Sequence, residues 1–273
     1  MNKDEGNFWN GFIFSRWING GNRNRNNNGG CLSSIMGILI LAIVFVLVKS
    51  IGWGGLIAVF VILFVVIPII VGIKKGNSSN ISNTSGEAWN LYREGKYTLA
   101  LEKAEKIADK NADAADLAGV LYFHGQGCDK NKTKAFRYFR MGEKNNLEAK
   151  TFYALMLLNG DGCDQNLSLG KQELFEAASK SEIVATFMLG HYQIYGDCGF
   201  DKNIEAGLRN LRVAMEAGNL DAKYEIAMLK FIGDDVPSDE ETAIQYFKEA
   251  AAAGHKDSQE MLDKINGTSS HQS

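Results

Sequence analysis

Three cysteines, Cys128, Cys163 and Cys198, and three histidines, His124, His191 and His255, are the residues of this 273-residue chain best equipped for chemistry. Thiols recurring at such intervals suggest a disulfide or a zinc site. Their spacing argues against both. The cysteines recur almost with an internal repeat, and equivalent positions in stacked helix pairs lie about a helix diameter, roughly 10 Å, apart. A disulfide needs Cα atoms within about 7 Å. His124 and His191 stand at no recognisable zinc spacing. With Cys31 the chain has four cysteines and no Cys-x-x-Cys pair, so the thiols are read as reduced, small, buried apolar residues.

Other catalytic or ligand-binding constellations fail in the same way. The loop around Asp161, NGDGCDQN, suggests calcium, but the twelfth position from Asn159 is Gly170, where an EF-hand loop needs a bidentate glutamate. No Ser, Cys or Asp motif accompanies the histidines at a useful spacing. The glycines fall at repeat period and do not form a phosphate loop after a strand. Sequons at Asn131 and Asn166 matter only in a secretory compartment. The expectation is a non-enzymatic protein with no catalytic, cofactor-binding or metal-binding residues and no small-molecule substrate.

Stepping along the chain, the elements that carry these residues are repeats. An alanine, a small residue five places later and a glycine six places after that recur as Ala114/Gly119/Gly125, Ala149/Ala154/Gly160, Ala185/Gly190/Gly196 and Ala222/Ala227/Gly233. A polar loop and a second helical pattern follow each triplet, for instance TKAFRYFRMGEKNN or ETAIQYFKEAAAAGH. Small residues at the inner positions let two helices approach closely, and the glycine supplies the turn. A single helix pair cannot bury its apolar stripe, so stacked neighbours must close the core. Only Pro68 and Pro237 interrupt the chain, and the fold class expected is all-α: a transmembrane helical hairpin followed by an α-α solenoid.

These triplets resemble the Sel1-like repeat, a relative of the tetratricopeptide repeat. Gly119, Tyr122, Gly125, Gly127 and then Cys128 follow the family order, with Cys128 where valine is usual. The third unit inserts a residue around Cys198, and the fourth has Asp235 in place of the second glycine. Repeats are expected over 113–265, with a partial fifth unit from Ser258, and a tetratricopeptide-like capping unit over 87–112 containing Trp89, Gly95, Tyr97 and Ala100. The resemblance implies a protein-protein interaction scaffold or adaptor whose first helices line a groove for a protein or peptide partner. It places Val120, Phe123 and His124 there, then Thr151, Leu155, Leu158 and Asn159. Phe187, His191, Ile194 and Tyr195 follow, and after them Tyr224, Met228, Phe231 and Ile232. The competing register packs these residues between helices. A regulatory or immunity protein that sequesters an enzyme or toxin at the membrane is the alternative function.

The N-terminal region has a different character. Cys31–Val48 and Ile51–Ile73 are apolar stretches of 18 and 23 residues without an ionised side chain, long enough at 1.5 Å per residue for a hydrocarbon layer of about 30 Å. Residues 31–73 are therefore read as two transmembrane helices. They separate a polar tail, 1–30, carrying the aromatic segment FWNGFIFSRWI, from a flexible linker, 74–86. Arg16, Arg23 and Arg25 on one side and Lys74 and Lys75 on the other place both termini and the solenoid in the cytoplasm by the positive-inside rule. Residues 1–83 hold seven Lys/Arg against Asp4 and Glu5, net +5, while the remainder holds 22 basic and 30 acidic residues, net −8. An acidic domain of this kind argues against a nucleic-acid partner. Residues 266–273 are read as a disordered tail.

Overall fold

The computed structural model describes residues 83–269 together with Ile67 and Ile81. The aromatic segment, the two apolar stretches apart from Ile67, and most of the linker lie outside the described residues. Among the described residues no helix is long and apolar enough to cross a membrane, and every regular element is a helix.

Helix α1 runs through 83–93, so helix is already present in the last residues of the expected linker. It pairs with α2, Tyr97–Glu105. Four helix pairs follow: α3 Ala112–His124 and α4 Lys132–Gly142, α5 Leu147–Asn159 and α6 Leu167–Ser179. The remaining pairs are α7 Ile183–Tyr195 with α8 Ile204–Glu216, and α9 Leu220–Ile232 with α10 Glu240–Ala252. A last helix, α11, spans Lys256–Ser269. It begins two residues before the expected fifth unit and continues four residues into the expected tail.

Capping residues explain why each helix starts and stops where it does. Side chains of Asn111, Asn146, Glu182 and Asn219 accept hydrogen bonds from the first-turn amides of α3, α5, α7 and α9, and Asn131, Asn166, Asn203 and Asp239 do so for the second helices. Such caps satisfy amides that have no partner within the helix. The first helix of each pair ends at Gly125, Gly160, Gly196 or Gly233, with φ between +70° and +82°, a left-handed conformation that glycine adopts without a Cβ clash.

Within a pair, small residues meet large ones. A Cβ on Gly119 would lie 2.7 Å from the Phe139 ring, one on Gly170 2.8 Å from Leu158 Cγ, and one on Gly207 2.7 Å from Ile194 Cγ1. Each second helix thus presses onto its first, with Phe139, Leu174, Leu211 and Phe247 fully buried at one repeated position. Between pairs, the loop after each first helix rests on the start of the preceding second helix. Gly127 abuts Tyr97 and Thr98, and Gly162 abuts Lys132 and Thr133. Where the fourth unit replaces that glycine with Asp235, an ion pair to Lys202 at 2.8 Å takes over the contact. The inserted residue of the third unit is absorbed by Cys198 and Gly199, both at positive φ.

First helices of successive repeats touch one another, α3 with α5 and α5 with α7. They form the inner row of the stack and the second helices form the outer one. The capping pair joins through Glu105 of α2, whose Oε1 accepts from the hydroxyls of Tyr122 and Tyr138 at 2.9 and 2.8 Å. Burial and this carboxylate push the Tyr138 phenol up to about 12.

Candidate functional site: the ends of the inner helices

The last residue of each inner helix before its glycine cap is His124, Asn159, Tyr195 or Ile232. These four form a row across the stack that opens toward its C-terminal end. His124 and Asn159 are half-buried, whereas Tyr195 is 46 % and Ile232 57 % exposed. Phe123, Met228 and Phe231 flank the row and are half-buried. The Phe123 ring lies beneath the ammonium groups of Lys130 and Lys132, 5.8 and 5.9 Å from its centroid. Tyr195 packs at 4.7 Å against the His191 ring, and His191 is itself held by Glu225 through Nδ1 at 3.0 Å. Tyr224, Met228 and Phe231 lean on a core made by Ala227, Ala243, Phe247 and Leu262.

Six residues assigned to the groove do not line open surface. Val120, Leu155, Leu158, Phe187 and Ile194 are at most 5 % exposed, and Thr151 is buried as well. These side chains are packed inside the stack. The physical reason is visible at Leu158 and Ile194, which fill the space left by Gly170 and Gly207 on the outer helix of the same pair. The exposed stripe is therefore narrower than expected and is displaced to the helix ends, where the outer helix no longer covers it.

Burial governs the electrostatics of the row. Desolvation, with Lys130 as a second cause, pulls His124 down to about 3, so it is neutral at pH 7. Burial and the nearby carboxylates, Glu225 first among them, push the Tyr195 phenol far above its usual range.

Three polar clusters escaped the sequence reading. The Lys150 ammonium, almost fully buried, donates to Glu173 and Glu176 at 2.7 and 2.9 Å and lies 3.5 Å from Glu143. Burial alone would push this lysine down, but Glu173 and Glu176 outweigh it and hold the group above the ordinary lysine range. Thr151 donates to Glu182 at 2.9 Å, which joins the second pair to the cap of the third. The third cluster contains Ser258, His255 and Asp221, a combination of types that the sequence placed at no useful spacing. His255 Nδ1 lies 2.6 Å from Ser258 Oγ and Nε2 lies 3.1 Å from Asp221 Oδ1.

This arrangement differs from that of a serine hydrolase, in which the carboxylate holds Nδ1 and the serine faces Nε2. Here Ser258 is fully buried, and its backbone N–H donates to His255 Nδ1 at 3.0 Å. His255 acts as the N-cap of α11. Because Asp221 lies 34 residues earlier in the sequence, close to one repeat, the signal was the repeat period itself rather than a local motif.

Cys128, Cys163 and Cys198 are free thiols. They are half-buried instead of fully buried. Cys128 and Cys163 donate to the carbonyls of Leu121 and Met156, near the ends of the inner helices, and burial pushes both thiols up. Among the described residues no three His, Cys, Asp or Glu side chains are grouped to hold a metal ion.

Stacked helix pairs with glycine-closed inner helices define an α-solenoid of short helical repeats. The Sel1 repeat model matches residues 112–146, 147–180, 183–219 and 220–255, together more than half of the chain, and the chain belongs to the Sel1 repeat family. Each match begins on the first residue of an inner helix, Ala112, Leu147, Ile183 or Leu220. A Sel1 repeat protein from Oxalobacter formigenes is 26 % identical, with a TM-score of 0.56 over 68 % of this chain and 74 % of that one. The protective antigen c5321 of uropathogenic Escherichia coli strains, described as an SLR fold, is 24 % identical, with a TM-score of 0.55 over 68 % of this chain and 41 % of the antigen. This second likeness concerns the fold.

Proposed function

We propose that the chain is a membrane-anchored interaction scaffold that binds a protein or peptide along the ends of its inner helices. The apolar stretches 31–48 and 51–73 anchor it, and the cations flanking them set both termini and the solenoid on the cytoplasmic side. The observation that carries the binding reading is the pair Tyr195 and Ile232, large apolar side chains 46 % and 57 % exposed at the same position of neighbouring inner helices. Contiguous exposed apolar surface on a soluble domain marks an interaction site. An amphipathic helix or an extended segment fits a row of this kind.

The experiment is a Tyr195→Ser/Ile232→Ser variant of the full chain, assayed for the complexes that the natural chain forms in detergent-solubilised membranes. The expected result is loss of the complex with an unchanged melting curve. An intact complex sinks the assignment of the site. The anchor is tested separately. With the native cysteines replaced by serine and a new one at Ser82, a membrane-impermeant thiol reagent should label the chain only after lysis, whereas labelling of intact cells reverses the topology.

A further inference from the structure

The outer helices carry a second surface whose charge opposes that of the domain. The residue after each fully buried core position, Phe139, Leu174, Leu211 or Phe247, is Arg140, Phe175, Arg212 or Lys248, and all four are exposed. One residue further, Met141 and Val213 are 42 % and 52 % exposed. The exposed Arg137 on α4 and the exposed Lys144 in the turn that follows it extend the basic surface to either side. Among the described residues no carboxylate forms an ion pair with any of these five cations. Glu176 and Glu249 stand at the position of Met141 and Val213, but Lys150 and Lys180 hold the first and Lys223 the second. A row of uncompensated cations with interleaved apolar side chains is a departure in a region that carries a net −8.

We infer that this outer stripe docks on an anionic lipid surface, and the inference rests on the membrane anchor proposed above. Cations beside exposed Met, Phe and Val side chains combine the two attractions that hold amphipathic surfaces at a charged bilayer, electrostatic pull on the headgroups and shallow burial of apolar groups. Four outer helices in succession, each at least a helix diameter of about 10 Å from the next, offer a stripe at least roughly 30 Å long. Only the nine residues 74–82 separate the second apolar stretch from α1 in the sequence, so a tethered domain meets the headgroups at high effective concentration. The net −8 of the region as a whole favours contact through this cationic face. The inner-helix row belongs to other helices and lies outside this contact.

The test is hydroxyl-radical footprinting of the full chain in lipid nanodiscs, read by mass spectrometry at Met141, Phe175 and Phe231. In discs containing about 30 % phosphatidylserine, oxidation of Met141 and Phe175 should fall several-fold relative to purely zwitterionic discs. Oxidation should recover in about 0.5 M salt, where the Debye length is only a few Å, while Phe231 on the inner row stays unchanged. An Arg140→Glu/Arg212→Glu/Lys248→Glu variant should show no lipid dependence. Equal oxidation of Met141 and Phe175 in both lipids overturns the inference and leaves an acidic protein as the match for the stripe. If the chain does not insert into discs, the anchor fails instead, and co-sedimentation of the chain with phosphatidylserine vesicles decides the stripe alone.

Discussion

His255 Nε2 lies 3.1 Å from Asp221 Oδ1, so the cap of the last helix is fastened to the first turn of the inner helix one repeat earlier. The same joint occurs at the start of the stack, where Asn146, the cap of α5, donates to Asp113 at 2.8 Å. In both places a residue that starts one inner helix also bonds to the preceding one. Helix start and repeat stacking are thereby coupled.

Replacing Asp221 with Ala should release α11 preferentially. It leaves the buried His255 without an acceptor at Nε2, at a cost of about 1–3 kcal/mol. In a repeat protein that cost falls on the nearest interface. Hydrogen exchange should accelerate in α11 and its contacts with α10, with α3 to α6 unchanged. Uniform acceleration along the whole stack would refute a local joint.

Lys150 should behave as a buried charge that its carboxylates require. Lys150→Ala strands the largely buried Glu173, and removing one partner of a buried pair costs on the order of 3 kcal/mol. Lys150→Met/Glu173→Leu removes both charges and should recover most of the loss. Urea midpoints of the two variants decide the matter, and equal midpoints would contradict it.

His124 gives the domain an acid-sensitive component. Its pKa is lowered in the folded state to about 3, so below the ordinary histidine value of about 6.5 the unfolded chain takes up the proton first. The stability this neutral group supports is present above about pH 6.5 and is lost as pH falls from there toward 3. Between pH 7 and 5 the loss is about 1–2 kcal/mol. A His124→Asn variant should lose that much less over the same interval, measured as the difference between its melting curves and those of the natural chain.

The repeat period, the glycine turns and the all-helical class were legible in the sequence because they are local: Gly125, Gly160, Gly196 and Gly233 occupy the left-handed caps that their spacing announced. Which face of an inner helix stays open was not legible. Leu158 and Ile194 look the same in sequence as Phe231 and Ile232, and only the glycines opposite them, Gly170 and Gly207, draw the first two inward. The Asp221–His255–Ser258 cluster was invisible for a related reason, since its members come together only when a whole repeat has closed.

Gly207 offers a direct check on that packing. A Cβ there would lie 2.7 Å from Ile194 Cγ1 and 2.8 Å from the Gly190 carbonyl oxygen, so the backbone of α7 must move. Gly207→Ala should destabilise the domain by about 1–3 kcal/mol, although alanine is the better helix former by about 1 kcal/mol. Gly267→Ala, in open space on α11, should stabilise slightly. A gain in melting temperature for Gly207→Ala would mean that α7 and α8 are less tightly apposed.

The measurement that tests the scaffold most directly is photo-crosslinking in living cells from an unnatural amino acid placed in turn at Tyr195, Ile232 and the exposed control Lys110, followed by isolation of membranes. Adducts of one discrete mass from Tyr195 and Ile232, absent from Lys110 and found in the membrane fraction, are the predicted result. The same diffuse products from all three positions, or adducts only in the soluble fraction, would contradict a membrane-anchored scaffold that binds its partner at the inner-helix ends.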